Sequence, residues 1–261
     1  MNHHRFAATV LVAGVVLTGC AAEKSDEKAA PAPSQTEKTK TVSETLLDAV
    51  PDAASPAFHY AVKGGLNPFS GVIDPEGRAM TAVITQKIPD TPITLTMQFL
   101  VVEEKVWTKI AFKGATADMG LPKLPKKWMS IDQAKAGSSE IDEMKFTASE
   151  IDPGYVTALV ASAAGLKETA DGHYTGTTDL TKSTEAEIVE DKKLKAIGEK
   201  AKTAPLDVVV DDEGRIAKAT VKVPESAAYQ VTYDQYGTAK PLSAPADAVK
   251  APADVYELLK G

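Results

Sequence analysis

From residue 57 onward, apolar and polar positions alternate along much of the chain. Phe58, Tyr60 and Val62 are separated by polar or small residues, and Leu95, Met97 and Phe99 repeat the pattern. The stretches 77–88, 93–102, 106–112, 128–131, 173–180, 206–210, 216–223 and 229–236 share it and are rich in β-branched residues. A period of two buries one face of a strand and solvates the other, so these stretches predict half-buried strands. The breaks between them are turn chemistry: Pro89 to Pro92, and Glu103-Glu104-Lys105. Two acidic turns look alike, Asp74-Pro75-Glu76-Gly77-Arg78 and Asp211-Asp212-Glu213-Gly214-Arg215. Each places Gly where a left-handed residue is expected. Strands joined by such short turns predict an antiparallel meander.

Three stretches depart from that period. Residues 43–50 carry Leu46, Leu47 and Val50 at helical spacing. Residues 153–164 have Asp152 as an expected N-cap, Pro153 at the first helical position and Gly165 after the end. Their apolar positions are Tyr155, Val156, Leu159 and Val160, and several alanines keep the predicted helix slim. Residues 182–201 place Thr184 and Glu187 at capping-box spacing. Charged positions outnumber apolar ones there, which predicts a surface helix with one narrow buried stripe.

The N-terminus changes the picture of what folds. Arg5 precedes an apolar run over 6–17, too short for a bilayer span of roughly 20 residues but of signal-peptide length. The run ends in Leu17-Thr18-Gly19-Cys20, which resembles the lipobox of bacterial lipoproteins. The thiol of Cys20 takes the lipid, and small residues at Thr18 and Gly19 suit the peptidase that cuts before it. Two acyl chains, at about 0.8 kcal/mol per CH₂, give stable anchoring. The expected organisation is a signal peptide over 1–19, a lipidated Cys20 with a flexible tether over 20–40, and one domain over 41–261. The tether is charged and Pro/Ala-rich, with no large apolar residue. As a loose coil it reaches roughly 25 Å.

Cys20 is the only cysteine, so the mature chain has no disulfide and no cysteine-held metal. The formal net charge is −7, which argues against nucleic acid as a partner and against a broad basic membrane-docking face. The two mature histidines, His59 and His173, are far apart in sequence, and His59 faces opposite to Phe58 and Tyr60 on its strand. No HExxH, GxSxG, GxxxxGK[ST] or GxGxxG motif occurs. Asp118, Asp132 and Asp142 lie mid-chain but form no motif. The expectation is a non-enzyme with no cofactor and no metal. One loop does stand out. Residues 113–127 read KGATADMGLPKLPKK, with Met119, Leu121 and Leu124 among lysines and prolines. Such a loop suits a lid or lip over an apolar ligand, with Lys123, Lys126 and Lys127 meeting an anionic head group. The plainer alternative is a long connection whose leucines fold onto the core.

Several stretches together resemble a known group. They are VVEEKVWTKIAF followed by LPKKWMSID, then DGHYTGTTDLT, VVVDDEGRIAKATVKVP and YQVTYDQYGTAKPLSAP. In that order, and with the lipobox, they resemble the actinobacterial envelope lipoproteins of the LppX and LprG family. That family shares a half-barrel fold with the LolA and LolB lipoprotein carriers. The resemblance implies an α+β fold: a strongly curved antiparallel sheet, an open half-barrel, with helices across its concave face. It implies an apolar cavity for acyl chains of a lipid or glycolipid, in a carrier or chaperone at the outer face of the cytoplasmic membrane. The residues expected to line it are Phe58, Tyr60, Met97, Phe99, Trp107, Phe112, Tyr155 and Leu159. A monomer is expected. The competing reading is a protein-binding envelope lipoprotein with a filled core, and a hydrolase with a carboxylate pair comes third.

Overall fold

The computed structural model describes residues 40–116, 119–136 and 144–260. Cys20, the apolar run before it and most of the tether lie outside them, as do Asp118 and Asp142. From Lys40 onward the chain is a single unit.

Twelve strands form one sheet. They are β1 (Phe58–Lys63), β2 (Phe69–Asp74), β3 (Ala79–Lys87), β4 (Thr94–Val102), β5 (Lys105–Lys113), β6 (Met129–Ser130), β7 (Ala163–Ala170), β8 (His173–Thr178), β9 (Ala204–Val210), β10 (Ile216–Val221), β11 (Tyr229–Asp234) and β12 (Val249–Lys250). The order across the sheet is β12-β6-β5-β4-β3-β2-β1-β11-β10-β9-β8-β7. All neighbours are antiparallel except β12 and β6. Two meanders therefore meet where β1 pairs with β11, and the sheet does not close on itself. Among the described residues four α-helices accompany it: α1 (Val42–Asp48), α2 (Val156–Ala161), α3 (Asp191–Ile197) and α4 (Ala253–Leu259). The class is mixed α+β, with a mostly antiparallel sheet.

Register explains the core. Tyr60 lies opposite Tyr233 on one side and Gly71 on the other, and Val62 lies opposite Val231. Opposed residues share a face, so Phe58, Tyr60 and Val62 join Tyr229, Val231 and Tyr233 in one buried layer. Leu46 of α1 and Val156, Leu159 and Val160 of α2 belong to the same cluster. A helix of six residues does not persist alone. Each of its three buried side chains contributes roughly 1.5–3 kcal/mol, which fastens it to the sheet. A second, smaller cluster lies toward the β12 edge, around Ile110, Met129 and Val255.

Several elements differ from the sequence pattern. The helix expected over 153–164 is only Val156–Ala161, and residues 163–170 are strand β7. Tyr155, not Asp152, is the N-cap, with φ 51. Asp152 still does a cap's work from one turn earlier, accepting from Val156 N and Thr157 N at 3.0 and 2.8 Å. Gly165 is left-handed, but it sits at a register shift between β7 and β8 and does not end a helix. The helix expected over 182–201 is broken into 3₁₀ turns at Leu180–Lys182 and Thr184–Ala186, then α3, then a 3₁₀ stretch at Gly198–Thr203. Glu187 takes φ 46 in place of a capping-box role, and its carbonyl accepts from Leu66 N. Burying Ala186, Ile188, Ile197 and Ala201 from so polar a segment requires these breaks. In the first acidic turn the left-handed residue is Arg78, not Gly77. Gly77 is needed because a Cβ there would run into the Asp74 carboxylate.

Candidate functional site

Strand β6 pairs with β5 only at Trp107 and Thr108. Beyond Thr108, β5 continues to Lys113 with no strand on that side among the described residues. The chain then turns at Gly114, whose φ of 84 and close approach to the Pro92 carbonyl admit no other residue without strain. It returns past the open end of β5 as residues 119–127. Between this return and β4–β5 lies a cleft of about 520 Å³. Ile110, Phe112, Leu121 and Leu124 supply apolar wall, with Pro122 and Pro125 stiffening the far side. Thr96, Gln98 and Thr116 add neutral polar groups. Among the described residues, Lys109, Lys123 and Lys126 supply the only charges in the lining, and no carboxylate joins them.

None of these three lysines forms an ion pair among the described residues. Lys109 Nζ stands 4.6 Å above the Trp128 ring centroid, a cation–π contact that holds it at the cleft without neutralising it. Leu124 reaches down to the Ile110–Met129–Val255 cluster and anchors the return segment. Lys127, one residue beyond the cleft, is instead paired with Asp247 at 3.4 Å.

Two further clefts, of about 370 and 570 Å³, flank Tyr155 and share both Tyr155 and Glu185. They have the opposite electrostatic character. One adds Glu187, and the other adds Asp52 and Asp152 against the single cation Lys182. Tyr155 is left-handed and 41% exposed, so it stands up between them. Partial burial, and then the charges of Glu150, Glu185, Glu187 and Asp152, push its phenol pKa up. Burial also raises the Glu150 carboxyl.

The residues expected to line a cavity are spread over three places. Phe58, Tyr60, Phe99 and Leu159 lie together in the main core and line none of these clefts. Met97 is half-buried where the two clusters meet. Trp107 is buried, but its register partner is Leu100, so it faces away from Phe99. Phe112 lines the cationic cleft together with Lys123 and Lys126, and Tyr155 lines the acidic ones. Lys109 was not expected at the site. The signal was a lysine in the middle of the apolar strand VWTKIAF, directly opposite Gln98.

Several titratable groups elsewhere are engaged. Asp152 accepts from Tyr233 Oη as well as from α2, and Tyr229 Oη donates to the Gly154 carbonyl. Burial drives both phenols upward in pKa, so they hold their protons and serve as donors. His59 faces away from the core and meets Asp234 at 3.0 Å. His173 is exposed at its turn, and Asp132 pairs with Lys135 at 2.9 Å. Among the described residues, no helix is long and apolar enough to cross a membrane. No protein-family model matches the chain, and no curated protein matches it.

Proposed function

We propose that this chain is an exported lipoprotein, held at the outer face of the cytoplasmic membrane by acyl chains on Cys20, that binds a lipid or glycolipid as carrier or chaperone. The observation that carries the reading is the cationic cleft. Phe112, Lys123 and Lys126, distant in chemistry and separated in sequence, converge there with Leu121 and Leu124. Apolar wall beside unpaired cations is the surface an amphiphile with an anionic head needs. On this reading the sheet curves as an open half-barrel, with α1 and α2 across its concave side. The tether lets the domain sample the bilayer within roughly 25 Å.

A soluble form beginning after Cys20 provides the test. Organic extraction followed by mass spectrometry is expected to release a co-purifying lipid, and the emptied protein is expected to take up a fluorescent fatty acid. Absence of both results would overturn the reading. A protein-binding envelope lipoprotein is the second reading. It is favoured by the centre of the molecule, where Tyr60, Tyr229 and Tyr233 occupy the space between β1–β11 and the Asp152–Tyr155 turn.

A further inference from the structure

We propose that the cleft beside the open end of β5 selects amphiphiles with one acyl chain and an anionic head group, and that Lys109, Lys123 and Lys126 make the selection by charge alone. The inference rests on the reading of this cleft as an amphiphile site, and it goes further by naming the ligand class.

Charge is the first ground. Acidic residues outnumber basic ones 36 to 29 in this chain, so three lysines gathered in one cleft run against its overall charge. Seven lysines form ion pairs among the described residues, and Lys127, at the next position along the return segment, is one of them. The three cleft lysines are not, and among the described residues of that lining there is no acid. The two Tyr155 clefts have acidic linings, so positive charge is not a general property of concave surface in this molecule.

The donor type narrows the head group. Arginine would read a carboxylate or phosphate through a planar fork. Lysine is a compact point charge with rotatable donors and imposes no such geometry. A site built from three lysines therefore accepts a carboxylate and a phosphate alike, and prefers either to a neutral or zwitterionic head. Size narrows the tail. The volume of about 520 Å³ falls mid-range for small-molecule pockets, which run roughly 300–1,000 Å³. That holds a head group and one chain, not two long chains. Ile110, Phe112, Leu121 and Leu124 are the large apolar residues of the lining and offer that chain its contacts.

The test uses the mature chain without its lipid and three probes that share a chain: dodecyl phosphate, dodecanoate and dodecyl maltoside, each below its micelle concentration. Binding is read by calorimetry. The two anionic probes are expected to bind about tenfold more tightly than the maltoside, the size three partly exposed charge contacts supply. The difference should shrink as ionic strength rises. The triple variant Lys109→Gln, Lys123→Gln, Lys126→Gln is expected to erase the preference while leaving maltoside binding unchanged, and Lys127→Gln is expected to leave both unchanged. Equal affinity for all three probes would overturn the charge selection yet leave the amphiphile site standing. Binding of none would remove both. Inorganic phosphate competing as well as dodecyl phosphate would show a simple anion site. Tighter association with phosphatidylglycerol vesicles than with either monomer would show a membrane-docking face. Either of these last two outcomes overturns the proposal.

Discussion

The carboxylate of Asp152 is shared between the sheet and a helix. It accepts from Tyr233 Oη on β11 and from two backbone N–H groups of α2. Hydrogen bonds to a charged group are worth about 1.5–3 kcal/mol each. Tyr233→Phe removes one and leaves the carboxylate two partners, so a loss of about 1–3 kcal/mol is expected in urea unfolding. Asp152→Ala should cost more, because it strands a buried phenol as well as the N–H groups. The tyrosines also set an alkaline limit. Burial raises the pKa of Tyr60, Tyr229, Tyr233 and Tyr236 above the ordinary phenol value. The native state then keeps protons that the unfolded chain has lost. Stability is therefore whole below the ordinary tyrosine range and falls as pH climbs through and beyond it. An alkaline titration is expected to show phenolate absorbance from these four residues only together with loss of circular dichroism. Their smooth ionisation in a folded protein would contradict this.

At the scale of elements, the strands with clean alternation were legible because their signal is local. β1, β3, β4, β5, β10 and β11 each carry it within their own residues. β2 was not, since Gly71 interrupts its pattern, and it is glycine because a Cβ would collide with the Thr81 carbonyl of β3. β12, with two residues, is too short to carry a period. The stretch 152–165 was misleading for a different reason. Asp, Pro and Gly are helix punctuation, but Ala163 and Ala164 pair with Thr178 and Thr177, a long-range choice that no local signal records. One substitution separates the two descriptions by its sign. In a helix over 153–164, Gly154→Ala would stabilise by up to about 1 kcal/mol. In the observed turn, Gly154 abuts Val231 so closely that a Cβ must displace it. A loss of about 1–3 kcal/mol from overpacking is expected in denaturant melts. Less of the site was legible than of the fold. Lys123 and Lys126 stood out as a basic run among leucines, but Lys109 joins them only because β6 stops short and leaves β5 open there.

For the whole molecule, charge is distributed against its total. The chain is acidic, yet in one of its three described clefts the charged groups among the described lining residues are all cations. The connection from β11 to β12 spans the β1-to-β6 half of the sheet, fixed by Leu242 N on Asp74 and by the Lys127–Asp247 pair. That places the base of the return segment, at Lys127, on a fixed support beside the cleft. The central claim is that an amphiphile binds at this cleft and not in the core. A fatty acid with a photoactivatable group along its chain tests it most directly, by irradiation of the complex, digestion and peptide mapping. The account predicts label on peptides from β5 and the return segment, around Phe112, Leu121 and Leu124, competed by unlabelled dodecanoate. Label confined to the core around Phe58, Tyr60 and Leu159, or to the surroundings of Tyr155, would contradict it.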